Sequence, residues 1–295
     1  MTASFADRLA ALVEERRSQV CLGLDPDPGA LGGGPGEEGG YGDPAERAAA
    51  AVAEWCRGLI ERAGPACVAA KPQLACFERL GAPGADALRR TVTAARDAGL
   101  AVIADGKRGD VPVTATAYAQ ALVGETPTPW GTVPGLGADA FTVNPLLGGD
   151  ALEPLVDAAA GAGAGVFALV RTSNPGAGDL LDLPAPDAPL HERIAALVAE
   201  RADRLAGEAG LSGMGAVVGA TEPAFLARLR ELMPAAIFLI PGVGAQGGRV
   251  SELGPAFADH PASALVAASR GIASAGDPAA AAEALRAEAW ELRSG

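Results

Sequence analysis

Eight short apolar segments, separated by stretches with helical spacing, most constrain how this chain can fold. Each is hydrophobic without alternation, which is typical of strands buried on both faces of a parallel sheet. Eight such strands with helical crossovers predict an α/β fold, a single (β/α)8 TIM barrel, and the 295 residues suffice for one. A doubly wound open sheet is the alternative. The predicted strands are residues 19–24, 66–70, 100–104, 140–143, 165–170, 215–218, 236–240 and 263–267.

The segments between these strands predict the helices and loops of one barrel domain over residues 1–295. Helices are expected at 46–63, 84–98, 188–209 and 223–233, and an amphipathic N-terminal helix follows a Thr or Ser cap. Three Gly/Pro-rich insertions, near 26–44, 124–137 and 172–189, are predicted to be loops. Trp55, Trp130 and Trp290 are expected to pack against the core.

Composition excludes several function classes. A net charge of −13 argues against a general nucleic-acid binder, although it leaves room for an anionic small molecule in a local pocket. The two histidines do not form a metal-ligand pattern, and the four cysteines contain no C-x-x-C pair, so we expect reduced thiols and no metal. No apolar run is long enough for a membrane span, and the N-terminus does not resemble a signal peptide. The expected protein is soluble and cytoplasmic, with no membrane partner.

Residues 104–111 place charged side chains directly after a buried strand. If the backbone stays extended from 104 to 107, Asp105 and Lys107 point to the same face, with Lys71 reaching in from the neighbouring strand. Isolated buried charges are costly, so Lys71, Asp105, Lys107 and Asp110 are predicted to form an alternating, mutually paired network. A surface ion-pair cluster is the alternative interpretation.

Polar residues also follow other predicted strands, at the C-terminal end of the barrel, where the catalytic residues of such enzymes lie. Asp25 follows the first strand and Asn144 the fourth, while Arg171, Thr172 and Ser173 follow the fifth. Any one of them could be a solvated loop residue. Together they favour a functional barrel mouth.

An anion site is predicted after the seventh and eighth strands. Segment 241–248, PGVGAQGG, offers unobstructed backbone N–H groups, and Gln246 adds an amide donor. Arg270 can bind an anion through two parallel hydrogen bonds, and Gly271 offers an N–H before the next helix. Because phosphate sites recur at these two loops of barrels, the pattern predicts a phosphate site.

These motifs together resemble the orotidine 5′-phosphate decarboxylase family, in its longer, second subgroup. The D-x-K-x-x-D of Asp105, Lys107 and Asp110, followed by Thr114, is similar to that family's active-site signature. The resemblance spans nearly the whole chain through segments 22–25, 69–78, 142–148, 170–177, 241–248 and 269–271. It implies cofactor-independent decarboxylation of orotidine 5′-monophosphate (OMP) to uridine 5′-monophosphate (UMP), the last step of de novo UMP synthesis, by a homodimer with shared sites.

The same resemblance implies a role for each matching residue. Lys107 would protonate C6 of the pyrimidine, and Asp105 would lie beside the substrate carboxylate. Asp110 and Thr114 would reach across the dimer interface into the partner's site. The implied contacts to substrate are ribose hydroxyls at Asp25 and Lys71, the pyrimidine amide edge at Ser173 or Thr172, and the phosphate at Gln246, Arg270 and Gly271.

Two rival functions stay open at this stage. A magnesium-dependent sugar-phosphate lyase of the same barrel superfamily would need further carboxylates near the second and third strands. Glu78 is the nearby candidate, on a predicted helix. A non-catalytic nucleotide-phosphate sensor would bind a pyrimidine nucleotide without turnover. A sensor has no evident use for a buried lysine between two aspartates.

Overall fold

The computed structural model describes residues 3–31, 43–244, 246–257 and 260–292. Eight parallel strands close into a barrel, in which each strand pairs with the next barrel strand along the chain and the last pairs back to the first. The predicted barrel is therefore confirmed. The barrel strands are β1 (Val20–Leu24), β2 (Ala69–Pro72), β3 (Ala101–Arg108), β6 (Ala140–Val143), β7 (Gly165–Arg171), β8 (Ser212–Val218), β9 (Ala236–Ile240) and β10 (Ala264–Ala268).

Helices cover the outside of the barrel and close one end of it. The N-terminal helix begins after Ser4, whose side chain accepts a hydrogen bond from the Asp7 N–H and so caps it as predicted. The α-helices are α1 (Phe5–Arg16), α2 (Pro44–Ala63), α3 (Leu74–Glu78), α4 (Gly81–Asp97), α5 (Pro112–Leu122), α6 (Gly149–Ala162), α7 (Gly178–Leu181), α8 (Leu190–Ala199), α9 (Ala224–Leu232), α10 (Arg270–Ala273) and α11 (Pro278–Glu291). Within the described ranges, no helix is long and apolar enough to cross a membrane.

Two apolar clusters form the core. The larger lies between the strands and the surrounding helices, where alternate strand residues such as Val20 and Leu22 face outward. The smaller fills the barrel interior and is covered from below by α1. Phe5 of α1 meets Phe167 of β7 edge to face, with ring centroids 5.9 Å apart. Because residues face either the interior or the helices, both sides of each strand are apolar, which explains the runs without alternation.

Three local predictions were wrong. The predicted loop 124–137 contains an antiparallel hairpin, β4 (Glu125–Thr128) and β5 (Gly131–Pro134), whose turn is tightened by a hydrogen bond from Thr128 Oγ1 to the Gly131 carbonyl. Trp130 lies in that turn with 92% of its surface exposed instead of packing. The predicted helix 188–209 ends at Ala199 because the chain turns toward β8, where Ser212 Oγ donates to the Ala202 carbonyl. Much of insertion 26–44 lies outside the described residues.

Candidate active site

A cavity of about 540 Å³ opens at the C-terminal ends of the barrel strands. All eight strands, or the loops that follow them, contribute to its wall. Apolar side chains of β7, β8 and β9 line it beside polar groups from the other strands. Most of the residues predicted for the site line this cavity, namely Asp25, Lys71, Asp105, Lys107, Thr172, Ser173, Gln246, Arg270 and Gly271.

A carboxylate held between two lysines forms the charged part of the cavity. Lys71 Nζ lies 2.6 Å from Asp105 Oδ2, and Lys107 Nζ lies 2.6 Å from Asp105 Oδ1. Asp105 is buried with 5% of its side chain exposed, and Lys71 with 11%, whereas Lys107 is 43% exposed toward the cavity. Two opposite charges therefore offset the cost of burying the Asp105 carboxylate.

The ion pairs set the protonation states of the buried partners. Burial by itself would raise the pKa of Asp105, but the charges of Lys71 and Lys107 outweigh it and lower the pKa to about 2. Burial likewise opposes the charged form of Lys71, yet the carboxylates of Asp105 and Asp25 raise the pKa of Lys71 above its ordinary value. Near neutral pH, Asp105 is ionised and Lys71 is an ammonium.

The backbone at Lys107 differs from the predicted extended conformation. Its φ of 48° is left-handed, and the pairing of β3 with β6 shifts register between Ala104 and Arg108. Thr142 of β6 supports the irregular segment, because its Oγ1 accepts from the Lys107 N–H at 2.9 Å and donates to Asp105 Oδ1 at 2.8 Å. The two charged side chains still meet, although by an irregularity of the strand and not by its two-residue period.

Three predicted residues do not line the cavity of the single chain. Asp110 accepts a hydrogen bond from the Val111 N–H, and it makes no ion pair with any described residue. Within one chain, three of the four residues of the predicted network come together, and the prediction for the fourth, Asp110, concerns the partner's site. Thr114 is half-buried near the start of α5, and Asn144 Oδ1 accepts from the Leu146 N–H.

The loops after β7 and β9 meet over one side of the cavity. Ser173 Oγ donates to Gln246 Oε1 at 2.8 Å, which joins the two loops. Gly242 has a φ of 101°, and a Cβ there would come within 2.9 Å of Ser173 Cβ. Only glycine suits both the backbone conformation and the close approach. Asp25, which follows β1, and Arg270 and Gly271, which follow β10, also line the mouth and are solvent-exposed.

A carboxylate cluster able to hold a metal ion is not found among the described residues. Glu78, the candidate for a magnesium ligand, is at the end of α3 and pairs with Arg108. Asp105 is already bonded to two ammonium groups. Glu78 and Asp105 are thus each engaged with a cation of the protein itself.

Comparison with known proteins agrees with this geometry. A model of the orotidine 5′-phosphate decarboxylase/HUMPS family matches residues 18–285. Orotidine 5′-phosphate decarboxylase of Deinococcus radiodurans is 41% identical over 92% of this chain and 90% of that protein. The chain belongs to this family. The enzyme of the same name from Rhodopirellula baltica is 40% identical over 91% and 88% of the two chains. Leishmania donovani OMP decarboxylase has a TM-score of 0.76 at 36% identity, covering 99% of this chain and all of that one.

Two polar residues of the site in this orotidine 5′-phosphate decarboxylase family member were not predicted from the sequence. Thr142 joins the Lys107 backbone to Asp105, and Gln73 Nε2 lies 3.4 Å from Asp105 Oδ2. A single hydroxyl within the apolar strand 140–143 was a visible signal for Thr142. Gln73 lies two residues after Lys71, so the alternation of an extended strand could have placed it on the same face.

Proposed function

We propose that this chain converts OMP to UMP and carbon dioxide without a cofactor. Family membership supports the reaction, and one observation carries it to specific residues, namely the buried Asp105 held by Lys71 and Lys107 at 2.6 Å each. Decarboxylation at C6 leaves an electron pair that no neighbouring carbonyl can delocalise. Fixed charge in a shielded site is the remaining way to stabilise such a carbanion.

Lys107 is the proposed acid. The bond from C6 to the carboxylate carbon breaks, carbon dioxide leaves, and the electron pair remains on C6. Lys107 Nζ then transfers a proton to C6, and the neutral amine regains a proton from water. Asp105 keeps the ammonium in place through its salt bridge, and the half-exposed position of Lys107 lets Nζ reach a molecule in the cavity.

The rest of the cavity offers the contacts that a nucleotide monophosphate needs. We assign the phosphate to Gln246, Arg270 and the Gly271 N–H, which lie together on the cavity wall after β9 and β10. Asp25 and Lys71 are assigned to the ribose hydroxyls. The pyrimidine amide edge is assigned to Ser173 or Thr172, on the loop after β7. Binding the distant phosphate can stabilise the closed arrangement of loops around the reacting atoms.

We further propose a homodimer in which Asp110 and Thr114 complete the partner's site. Large apolar side chains near Asp110 are exposed, above all Val113 at 85%. The neighbouring segment after β6 exposes Leu146 and Leu147. These two segments run side by side, since the Asn144 N–H donates to the Arg108 carbonyl. Adjacent exposed apolar residues are typical of an interaction surface.

A reducing compartment, the cytoplasm, is the proposed location of the reaction. All the cysteines in the described ranges are free thiols, and three of the four are buried. Free buried thiols are typical of proteins that fold where glutathione keeps cysteine reduced.

The reaction is tested by mixing purified protein with OMP, with and without a chelator, and following the ultraviolet change as UMP forms. We expect the same turnover in both samples. Sugar-phosphate turnover that requires magnesium would instead identify the lyase of the same superfamily. UMP binding without OMP turnover would identify a sensor.

Shared sites are tested by mixing two inactive variants, Asp110→Ala and Lys107→Ala. A mixed dimer has one site with both native residues, so random exchange restores about a quarter of the wild-type activity if each dimer has two shared sites. No recovery, with mixed dimers confirmed by native mass spectrometry, would show that each chain forms a self-contained site.

A further inference from the structure

A cluster of four side chains lies behind the loop that follows β7, outside the cavity. We call Arg171, Asp182, His191 and Phe225 the anchor cluster. The Arg171 guanidinium makes two parallel bonds to Asp182, from Nε to Oδ1 at 2.8 Å and from Nη2 to Oδ2 at 2.9 Å. It also lies 4.9 Å from the ring centroid of Phe225 at the start of α9. Arg171 ends β7, and Asp182 follows α7, so the pair closes residues 171–182 into a ring.

His191 extends the anchor cluster to the beginning of α8. Its Nδ1 lies 2.7 Å from the Leu181 carbonyl and 3.3 Å from Asp182 Oδ1. A carbonyl oxygen can only accept, so Nδ1 carries a proton and donates. The ring is 4% exposed and meets Phe225 edge to face, with centroids 4.9 Å apart. Four separate elements of the fold thus converge on one ion pair.

The anchor cluster is bonded directly to the backbone that lines the cavity. Arg171 Nη1 donates to the Thr172 carbonyl at 2.8 Å, and the Gly219 N–H donates to the Arg171 carbonyl at 2.7 Å. Residues 172–174 form part of the cavity wall. The guanidinium therefore fixes the first peptide of the loop from behind, while Ser173 Oγ and Gln246 meet at its front.

We propose that Arg171, Asp182 and His191 are positioning residues, which hold Thr172 and Ser173 where a pyrimidine ring binds. The inference rests on the proposed function, because that function assigns the base to this loop. The positioning residues themselves touch no substrate. A bidentate, stacked arginine fixes both the distance and the plane of its contacts, which a single flexible ion pair does not.

The test compares two probes that differ only in the base. UMP carries the pyrimidine, and ribose 5-phosphate lacks it while keeping the sugar and phosphate. For Asp182→Ala, we expect UMP binding weakened by about tenfold to a hundredfold, the size expected when polar groups of the bound base lose their hydrogen-bond partners. Ribose 5-phosphate binding, measured by calorimetry or by competition, should be weakened much less than UMP binding, because two of the three residues assigned to phosphate, Arg270 and Gly271, follow β10 and not β7.

A matched control lies in the same loop. Asp187 is 84% exposed and pairs with Arg193 at the surface, so Asp187→Ala should leave the binding of both probes unchanged. Since Asp182→Ala leaves the Arg171 charge without its carboxylate, folding could fail in that variant. The double variant Arg171→Met, Asp182→Leu removes both charges and avoids that penalty. We expect it to show the same selective loss of UMP binding, and Arg171→Lys to lie between it and wild type.

The outcomes separate this proposal from the proposed function. Equal losses for both probes would show that the anchor cluster only maintains the fold, and unchanged UMP binding in the double variant would show that it positions nothing. A selective loss for UMP supports positioning. Wild-type protein that binds UMP but does not convert OMP would refute the proposed reaction while leaving the comparison of probes intact. In an active enzyme, the Asp182→Ala change should raise KM and lower kcat for OMP together.

Discussion

The two ends of this barrel are built from the same strands but differ in chemistry: one is a charged, open cavity and the other is closed by apolar packing. At the C-terminal end, β2 and β3 bring Lys71, Asp105 and Lys107 around a cavity of about 540 Å³. At the N-terminal end, α1 closes the barrel with buried apolar side chains such as Phe5 and Leu9. The C-terminal end thus holds charged side chains in an accessible cavity, whereas the N-terminal end buries apolar side chains away from water. The difference indicates that activity and stability can be changed separately. The packed N-terminal end contributes folding free energy, which offsets the cost of burying charges at the C-terminal end.

The largest expected effect of a single substitution is on turnover at the open end. Lys107→Ala should lower kcat for OMP by about four orders of magnitude or more, because proton donation and charge stabilisation are lost together. The free energy of unfolding should change by less than about 1 kcal/mol, since the side chain is half-exposed and Asp105 keeps its bond to Lys71. Turnover and urea unfolding check both parts.

Arg108→Ala is the matched control for Lys107→Ala. Arg108 is the next residue in the chain and also basic, but it pairs with Glu78 and stacks 5.4 Å from the Tyr118 ring centroid, outside the cavity. We expect nearly full turnover in this variant. Comparable losses in the two variants would mean that the irregular backbone of β3, and not the Lys107 ammonium, governs the rate.

A substitution at the closed end should have the opposite effect, lowering stability without changing turnover. Phe5→Ala removes a fully buried ring that packs on Phe167, which should lower the free energy of unfolding by about 3–5 kcal/mol. Turnover per folded molecule at 25 °C should be unchanged, because the cavity lies at the other end. Thermal unfolding and a steady-state assay measure the two effects. Glu14→Ala, on an exposed position of the same helix, is the control and should change stability by less than about 0.5 kcal/mol.

Much of this contrast could be predicted from sequence, because burial follows hydrophobicity. The apolar segments 140–143 and 236–240 are strands with the predicted bounds. The left-handed backbone of Lys107 was not predictable, since it depends on a register shift against β6 and on a hydroxyl of that strand. Arg171 shows a further limit. Its place at a strand end was evident, but its direction, away from the cavity and toward Asp182, depends on where α7 folds back.

A smaller effect is expected from the protonation of Asp105. Its pKa is about 2 in the folded protein against an ordinary 3.8, so the folded state binds this proton less readily than the unfolded state. The resulting stabilisation is complete above about pH 4 and is lost as the pH falls toward 2, by about 2 kcal/mol in all. Wild type should therefore lose more stability than Asp105→Asn over this interval in acid-dependent urea unfolding. Parallel losses in the two proteins would mean that other carboxylates account for the acid sensitivity.

The smallest predicted effect concerns a polar residue at the closed end and has the opposite sign. Gln19 precedes β1 and is fully buried, and neither atom of its amide has a hydrogen-bond partner within the described ranges. Replacing an unsatisfied buried amide by an apolar group of similar shape removes a desolvation cost, so Gln19→Met should raise the free energy of unfolding by about 1 kcal/mol.

Ser18→Ala is the matched control for Gln19→Met. Ser18 is equally buried, but its Oγ donates to the Ala66 carbonyl at 2.7 Å and accepts from the Val20 N–H at 3.1 Å. Removing it should destabilise the protein by about 1 kcal/mol or more, because two buried backbone groups lose a partner. Opposite signs at adjacent positions, with kcat unchanged in both variants, would show that polar groups at the closed end matter only through their hydrogen bonds. A loss of kcat in either variant would mean that the two ends of the barrel are coupled through its interior.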